Sequence, residues 1–304
     1  MAFTIPQTKY YGRIHTVTLG QAGMPIGGQS SLIFHDFEGK NPNPPRLSLD
    51  VWDYDPGEEL PAALREAYKG VTHDAGLWAG KCAAYGADMV TLHLKSTSPN
   101  SLDLGADQAV KSVRRVLEEV EIPVIVMGVD NTEKDVETLS AVAEEFSGRN
   151  LAIGPVTSRN YKRLGAQALV HGHAVIALTP TDFNLAKQLN IMLYNMGMPK
   201  DRIIMDATAA ALGYGMEYCY SVMEQLQIAA LIMDDEDAQH PLISTFGEDI
   251  WKTKEAAQST GEGMNQGVML EATEAVAMML AGASILCMRH PEAMKMARQF
   301  AETF

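Results

Sequence analysis

Several short segments combine residue types that could do chemistry. The run MDDEDAQH, residues 233–240, brings Asp234, Asp235, Asp237 and His240 close together, and hard oxygens with an imidazole are ligands for a cation. A solvated acidic loop explains the same run, because neighbours in sequence rarely converge on one ion. His171-Gly172-His173 has the look of a ligand pair, but it falls in a turn before an apolar run, where a structural role is expected. GPVTSRNYKR places Thr157, Ser158 and Arg159 at the start of a helical pattern, where free N–H groups and a cation suit an anion. Ordinary helix capping accounts for these residues too.

The most unusual segment is DATAAALGYGMEY, residues 206–218. Three consecutive alanines precede Gly213 and Gly215 on either side of Tyr214, and Met216 follows. Small side chains let another surface approach the backbone, and Tyr and Met add flat, polarizable contact. A large planar ligand needs such a floor; a tight loop entering a helix needs the same residues.

The remaining signals are negative. Cys82, Cys219 and Cys287 lie far apart with no CxxC pair, so the chain cannot supply four thiolates to a cluster or zinc. Such cysteine usage suits a reducing cytoplasm. No P-loop, H-E-x-x-H or G-x-S-x-G occurs, and GEGMNQG only approaches a dinucleotide fingerprint. None of the eight histidines has Asp two positions before it, so the D-x-H-x-x-G cobalamin signature is missing. A formal charge of -14 speaks against nucleic acid and anionic membranes, which are met by basic patches. No apolar run nears the roughly 20 residues that span a bilayer.

These residues must be carried by a framework, and the apolar pattern suggests which. Eight short apolar runs, RLSLDVW, MVTLHL, VIVMGV, LAIGPV, AVIALT, IIMDAT, AALIMD and SILCM, alternate with amphipathic helical stretches from Arg46 onward. Strand-helix alternation repeated eight times predicts a (β/α)8 TIM barrel over residues 46–304, within the length of 304 residues. An open doubly wound sheet has the same periodicity. Residues 1–45 read as an N-terminal hairpin extension packed on the barrel, with strands Arg13–Leu19 and Ser31–Phe34 around the turn GQAGMPIGGQ. About fifty residues separate the seventh and eighth runs, far above an ordinary connection. They are expected to form a helical insertion from GEDIWKTKEAAQ and QGVMLEATEAVAMML, joined by the turn STGEGMN.

Functional residues of such barrels follow the strands. The positions so placed are Asp50 and Asp53, His93 and Lys95, Asp130 and Asn131, Pro155 and Thr157, Thr179 and Thr181, Asp206 and Thr208, Asp234 and Asp235, and Arg289 and His290. No nucleophile stands beside an obvious base. The rim after strands five and six, namely Thr181, Thr208, Ala209, Gly213, Tyr214, Gly215 and Met216, is the expected floor for a planar ligand.

The segments GPVTSRNYKRLGAQALVHGHAVIALTPTDFNLAKQLN, RIIMDATAAALGYGMEYCYSVMEQLQIAAL and PLISTFGEDIWKTKEA resemble the small subunit of the corrinoid iron-sulfur protein, related to the delta subunit of archaeal acetyl-CoA decarbonylase/synthase. The resemblance runs from about residue 10 to the C-terminus. It implies a cytoplasmic barrel in a heterodimer of an anaerobe's reductive acetyl-CoA (Wood-Ljungdahl) pathway of carbon fixation. The large subunit would carry the 4Fe-4S cluster and most of the cobalamin-binding apparatus, with this barrel covering one face of the corrinoid. Methyl groups would arrive from methyltetrahydrofolate through a separate methyltransferase and leave to acetyl-CoA synthase. The missing thiolates and missing cobalamin signature agree with a chain that does not run this chemistry alone.

Three other readings remain open on the residues. A stand-alone, pterin-dependent corrinoid methyltransferase would hold the ring edge with Asp130, Asn131, Asn184 and Asp206. A pure scaffold would place no residue near the cofactor. A barrel aldolase would have to rely on Lys95, the only lysine suitably near a strand end.

Overall fold

The computed structural model describes residues 6–33, 38–257 and 265–303. Strands β1 (Thr16–Leu19) and β2 (Met24–Gly27) form an antiparallel hairpin, turned by Gly20 and Gly23 at positive φ. β3 (Arg46–Trp52) opens the barrel, and helices α1 (Ala62–Ala67) and α2 (Ala75–Ala84) lead to β4 (Met89–His93). There follow α3 (Ala106–Glu119), β5 (Val124–Met127), α4 (Thr132–Glu145), β6 (Ala152–Val156), α5 (Tyr161–His171) and β7 (Ala174–Leu178). Next come α6 (Phe183–Asn195), β8 (Ile203–Asp206), α7 (Met216–Leu231) and β9 (Leu242–Ser244). The chain ends with α8 (Gly247–Lys252), α9 (Lys254–Ala257), α10 (Gln266–Leu280), β10 (Ala283–Met288) and α11 (Pro291–Thr303). β3 to β10 pair in parallel and in chain order, and β10 returns to β3, closing an eight-stranded barrel.

Side chains cap two of the helices that start at the C-terminal ends of the strands. Asn131 accepts from the Lys134 N–H at the head of α4, and Asp182 from the Leu185 N–H at the head of α6. α5 begins at Tyr161, later than GPVTSRNYKR suggested. Asn160 Oδ1 accepts from Thr157 N, and Thr157 Oγ1 from Arg159 N, so these groups serve the turn before the helix.

Two strand expectations need correction. AALIMD is not the seventh strand: residues 229–231 finish α7, whose buried face includes Leu226, Ala229, Ala230 and Leu231. A short apolar run bounded by acids fits a helix end as well as a strand. The strand is Leu242–Ser244, three residues fixed between Pro241 and Thr245. Asp234 and Asp235 therefore lie in the turn that enters β9, at the opposite end from the rim. In the hairpin, Ser31–Ile33 is not a strand and Phe34 lies outside the described residues; the second strand is MPIG, inside the expected turn. The helical insertion between the seventh and eighth barrel strands is present as α8, α9 and α10, though residues 259–264 of its turn lie outside the described residues.

The hairpin decides which end of the barrel is available. Val17, Leu19 and Ile26 join one apolar cluster with Met89, Ile125, Ala152, Ala174, Ile204, Ile243 and Ile285, one residue from the interior face of almost every strand. Its bonds reach strand beginnings: Asn150 Nδ2 donates to Thr18 O, and Gln29 Nε2 to Ser284 Oγ. The barrel is thus plugged at its N-terminal end, and its interior opens only where the strands finish. His173, at the plugged end, is fully buried, bonded to Ala143 O and accepting from Leu151 N, as a structural residue should be.

Candidate functional site: the open rim

One side of the rim is built by β3, β4, β10 and α8. Asp50 and His93 point inward from neighbouring strands, with Nε2 and Oδ1 3.2 Å apart, in electrostatic contact but off the hydrogen-bond line. Asp53 follows β3 directly and accepts from both the backbone N–H and the hydroxyl of Ser96; burial raises its pKa against those bonds. Lys95 and Lys252 converge on one carboxylate, with Nζ atoms 2.6 and 2.8 Å from Glu248. Burial opposes charge on Glu248, yet Lys95, His93 and Lys252 hold it well below the ordinary carboxylate range. Lys95 is thus held against a carboxylate, and not presented free to the rim as the nucleophile of an aldolase would be.

Trp52, Trp251 and Arg289 complete this side. The Arg289 guanidinium lies 4.9 Å over the Trp52 ring, and Trp251 stacks on His290. Glu271 of α10 is fully buried beneath them. It accepts from the backbone N–H groups of Arg289 and His290 and from Trp251 Nε1, yet desolvation still pushes its pKa up to about 7.

The other side is the loop from β8 to α7. Asp206 is fully buried, accepting from Thr208 N and Thr245 Oγ1 at 2.9 Å, and burial pushes it up to about 6. Thr208 is buried, its hydroxyl donating to Ser244 and accepting from Thr245 N, so it fixes the loop from behind. Beyond it the backbone comes to the surface. Ala209 and Gly213 are exposed, Gly215 and Met216 half-buried, and Tyr214 is 57% and Tyr218 66% exposed. Gly215 has φ 114°, a conformation side chains rarely adopt, and it turns the chain into α7. Thr181 is exposed nearby, its N–H bonded to Ala207 O. Glu274 of α10 ties the loop down through Leu212 N at 2.7 Å, and burial pushes its pKa up to about 8. Ala209, Ala210, Ala211 and Tyr214 face Asp249, Lys252, Thr253 and Lys254 across a shallow cavity of about 350 Å³.

The fold therefore places six of the seven expected floor residues between β8 and the start of α7, with Thr208 behind the surface, and Thr181 in the adjoining loop after β7. It does not gather the acidic run. Asp235 pairs with Lys187, Glu236 with Lys200, and Asp234 accepts from Gln239, and among the described residues no three His, Cys, Asp or Glu side chains form a metal group. Asn131 is spent as a cap and Asp206 on threonines, which leaves a pterin edge little of the set it would use. The sequence reading missed Glu271 and Glu274. Their signal was present, as two carboxylates three apart in the otherwise apolar QGVMLEATEAVAMML.

Residues 16–300 match the family described as CO dehydrogenase/acetyl-CoA synthase delta subunit. The acetyl-CoA decarbonylase/synthase complex subunit delta of Methanothermobacter thermautotrophicus is 35% identical, across 99% of this chain and 78% of its own length. The corresponding subunit of Archaeoglobus fulgidus is also 35% identical, across 97% of this chain and 69% of its own. Among solved structures, dihydropteroate synthase of Xanthomonas albilineans superposes with a TM-score of 0.60 at 14% identity, covering 95% of this chain and 98% of that one. At that identity the likeness shows the barrel fold alone.

Proposed function

The chain belongs to the CO dehydrogenase/acetyl-CoA synthase delta-subunit family, and we propose that it is the small subunit of a heterodimeric corrinoid iron-sulfur methyl carrier. A larger partner subunit holds the 4Fe-4S cluster and most of the cobalamin, and this barrel covers one face of the macrocycle. Methyl groups pass from a methyltetrahydrofolate methyltransferase to acetyl-CoA synthase in the cytoplasm.

The observation that carries this reading is the bare segment between β8 and α7. Exposed Ala209 and Gly213 beside the broad face of Tyr214 fit a large flat group: no long side chain holds it off, and an aromatic ring meets it. Thr181, Gly215 and Met216 extend this floor, and Thr208 holds its root. The bound corrinoid supplies a metal centre that takes up and releases the methyl group. The chain orients the macrocycle, keeps water from one face and leaves an edge open for two successive partners. A stand-alone pterin enzyme is not favoured, because the relatives are named as subunits of a complex.

Anaerobic purification from the native host tests the proposal. A larger partner containing cobalt and iron should co-purify with the chain, and Ala209→Trp, with the heterodimer intact, should lower cobalamin retention at least tenfold. A colourless, lone chain that turns over methyltetrahydrofolate unaided would overturn the reading.

A further inference from the structure

A second cavity on the same rim has different chemistry. It holds about 360 Å³ and is lined by Trp52, Tyr54, Lys95, Trp251, Lys252 and Arg289, with Glu248 and Glu59 at its walls. The anions there are engaged: Glu248 takes both lysines, and Glu59 accepts from the Tyr54 hydroxyl. Arg289 is left over. It is 4% exposed, and among the described residues its guanidinium forms no ion pair and its Nη2 meets no hydrogen-bond acceptor. Glu271 bonds the Arg289 backbone N–H, not the guanidinium. Trp52 Nε1, the other buried donor of the same wall, also has no acceptor.

Two buried, unsatisfied donors, one of them permanently charged, are costly in a folded protein. The two residues line one cavity, whose aromatic walls weaken solvent screening of the cation. An acceptor with negative charge would satisfy both, and arginine's fork suits a carboxylate or phosphate. Trp52, Tyr54 and Trp251 add room for a flat body next to that group.

We propose that this cavity is a binding site for a small organic anion, whose carboxylate or phosphate group sits against Arg289 and Trp52 Nε1 and whose planar portion packs on the aromatic wall. The site stands apart from the bare loop, shares only Lys252 with it and does not rest on the corrinoid reading.

The chain has three tryptophans, and Trp78 packs on Tyr68 outside this cavity, which supplies an internal control. The full chain, ¹⁵N-labelled, is titrated with benzoate, phenyl phosphate, inorganic phosphate and neutral benzamide while the indole N–H signals are followed. Benzoate, phenyl phosphate or both should shift the Trp52 and Trp251 signals saturably and leave Trp78 in place, and which of them binds assigns carboxylate or phosphate. A response to inorganic phosphate alone would overturn the planar part of the proposal. Arg289→Gln should weaken binding at least tenfold. If that variant does not fold, Lys95→Gln, which frees negative charge on Glu248, should weaken it severalfold. The proposal is overturned if no anion shifts Trp52 saturably, if benzamide acts as well as benzoate, or if the folded variant binds as tightly as the parent.

Discussion

The two sides of the rim use the same backing helix, α10, in opposite ways. Under β3 and β10, Glu271 of α10 braces three donors, and the layer above it is a closed arrangement of tryptophans, lysines and a buried arginine. Under β8, Glu274, one helical turn later, braces a single donor, and the layer above it is bare backbone with exposed tyrosines. One side lines its cavity with lysines, an arginine and aromatic rings. The other offers exposed backbone, alanines and tyrosines, with its charges on the facing helices at Asp249, Lys252 and Lys254, which suits a large flat group. One helix thus braces two different surfaces, because residues three apart share a face but reach different strand ends.

The sharpest way to break this contrast is to remove each brace. Glu271→Ala leaves the N–H groups of Arg289 and His290 and the Trp251 indole buried without an acceptor, and should cost about 3–5 kcal/mol in urea unfolding. Glu274→Ala orphans only Leu212 N and should cost about 1–3 kcal/mol. Equal losses would mean that the two sides are not braced differently. Limited proteolysis sharpens the point: Glu274→Ala should expose the loop at 209–215 to cleavage, and Glu271→Ala should not do so selectively.

A smaller effect separates the two acids by pH. A carboxyl that binds its proton more tightly when folded contributes stability at low pH, and that contribution fades as pH rises from about 4.3 towards the folded value. Glu271 and Glu274, raised by burial to about 7 and about 8, therefore destabilise the fold as pH climbs to 8. His290 and His240, lowered by burial to about 4 and about 3, act in the opposite direction, but only below about 6.5, where an unfolded histidine titrates. Between pH 6.5 and 8 the carboxyls act unopposed by these histidines, and the unfolding free energy should fall by about 2–3 kcal/mol. Glu274→Gln keeps the acceptor for Leu212 N and removes the titration, so most of that slope should vanish while stability at pH 6.5 changes little.

How far the sequence foretold these features depends on the scale of the signal. Eight alternations make the barrel legible even though one strand was misplaced, because closure needs the count and not each boundary. Leu242–Ser244 is too short for a periodic signature, whereas AALIMD has apolar length without showing that it ends a helix. Met24–Gly27 was hidden by Pro25 and its glycines, which read as a turn until Ile26 is seen sealing the barrel. The Ala-Gly-Tyr segment stood out by composition. Arg289 was legible as a rim position, but its isolation was not, because that depends on Glu248 being claimed by two lysines from different segments.

The smallest expected effect concerns Tyr214, whose hydroxyl donates to Glu255 at 3.1 Å on the surface. An exposed bond of this kind exchanges one partner for water, so Tyr214→Phe should leave the midpoint of urea unfolding nearly unchanged. If the bare side recognises by area, the same variant should also leave cobalamin retention in the heterodimer nearly unchanged, since the ring face is kept. Tyr214→Ala removes the face and should weaken retention severalfold at equal stability. A Phe variant as defective as the Ala variant would show that the hydroxyl, and not the ring, makes the contact, and the bare side would then have to be reassigned as a polar site like its neighbour.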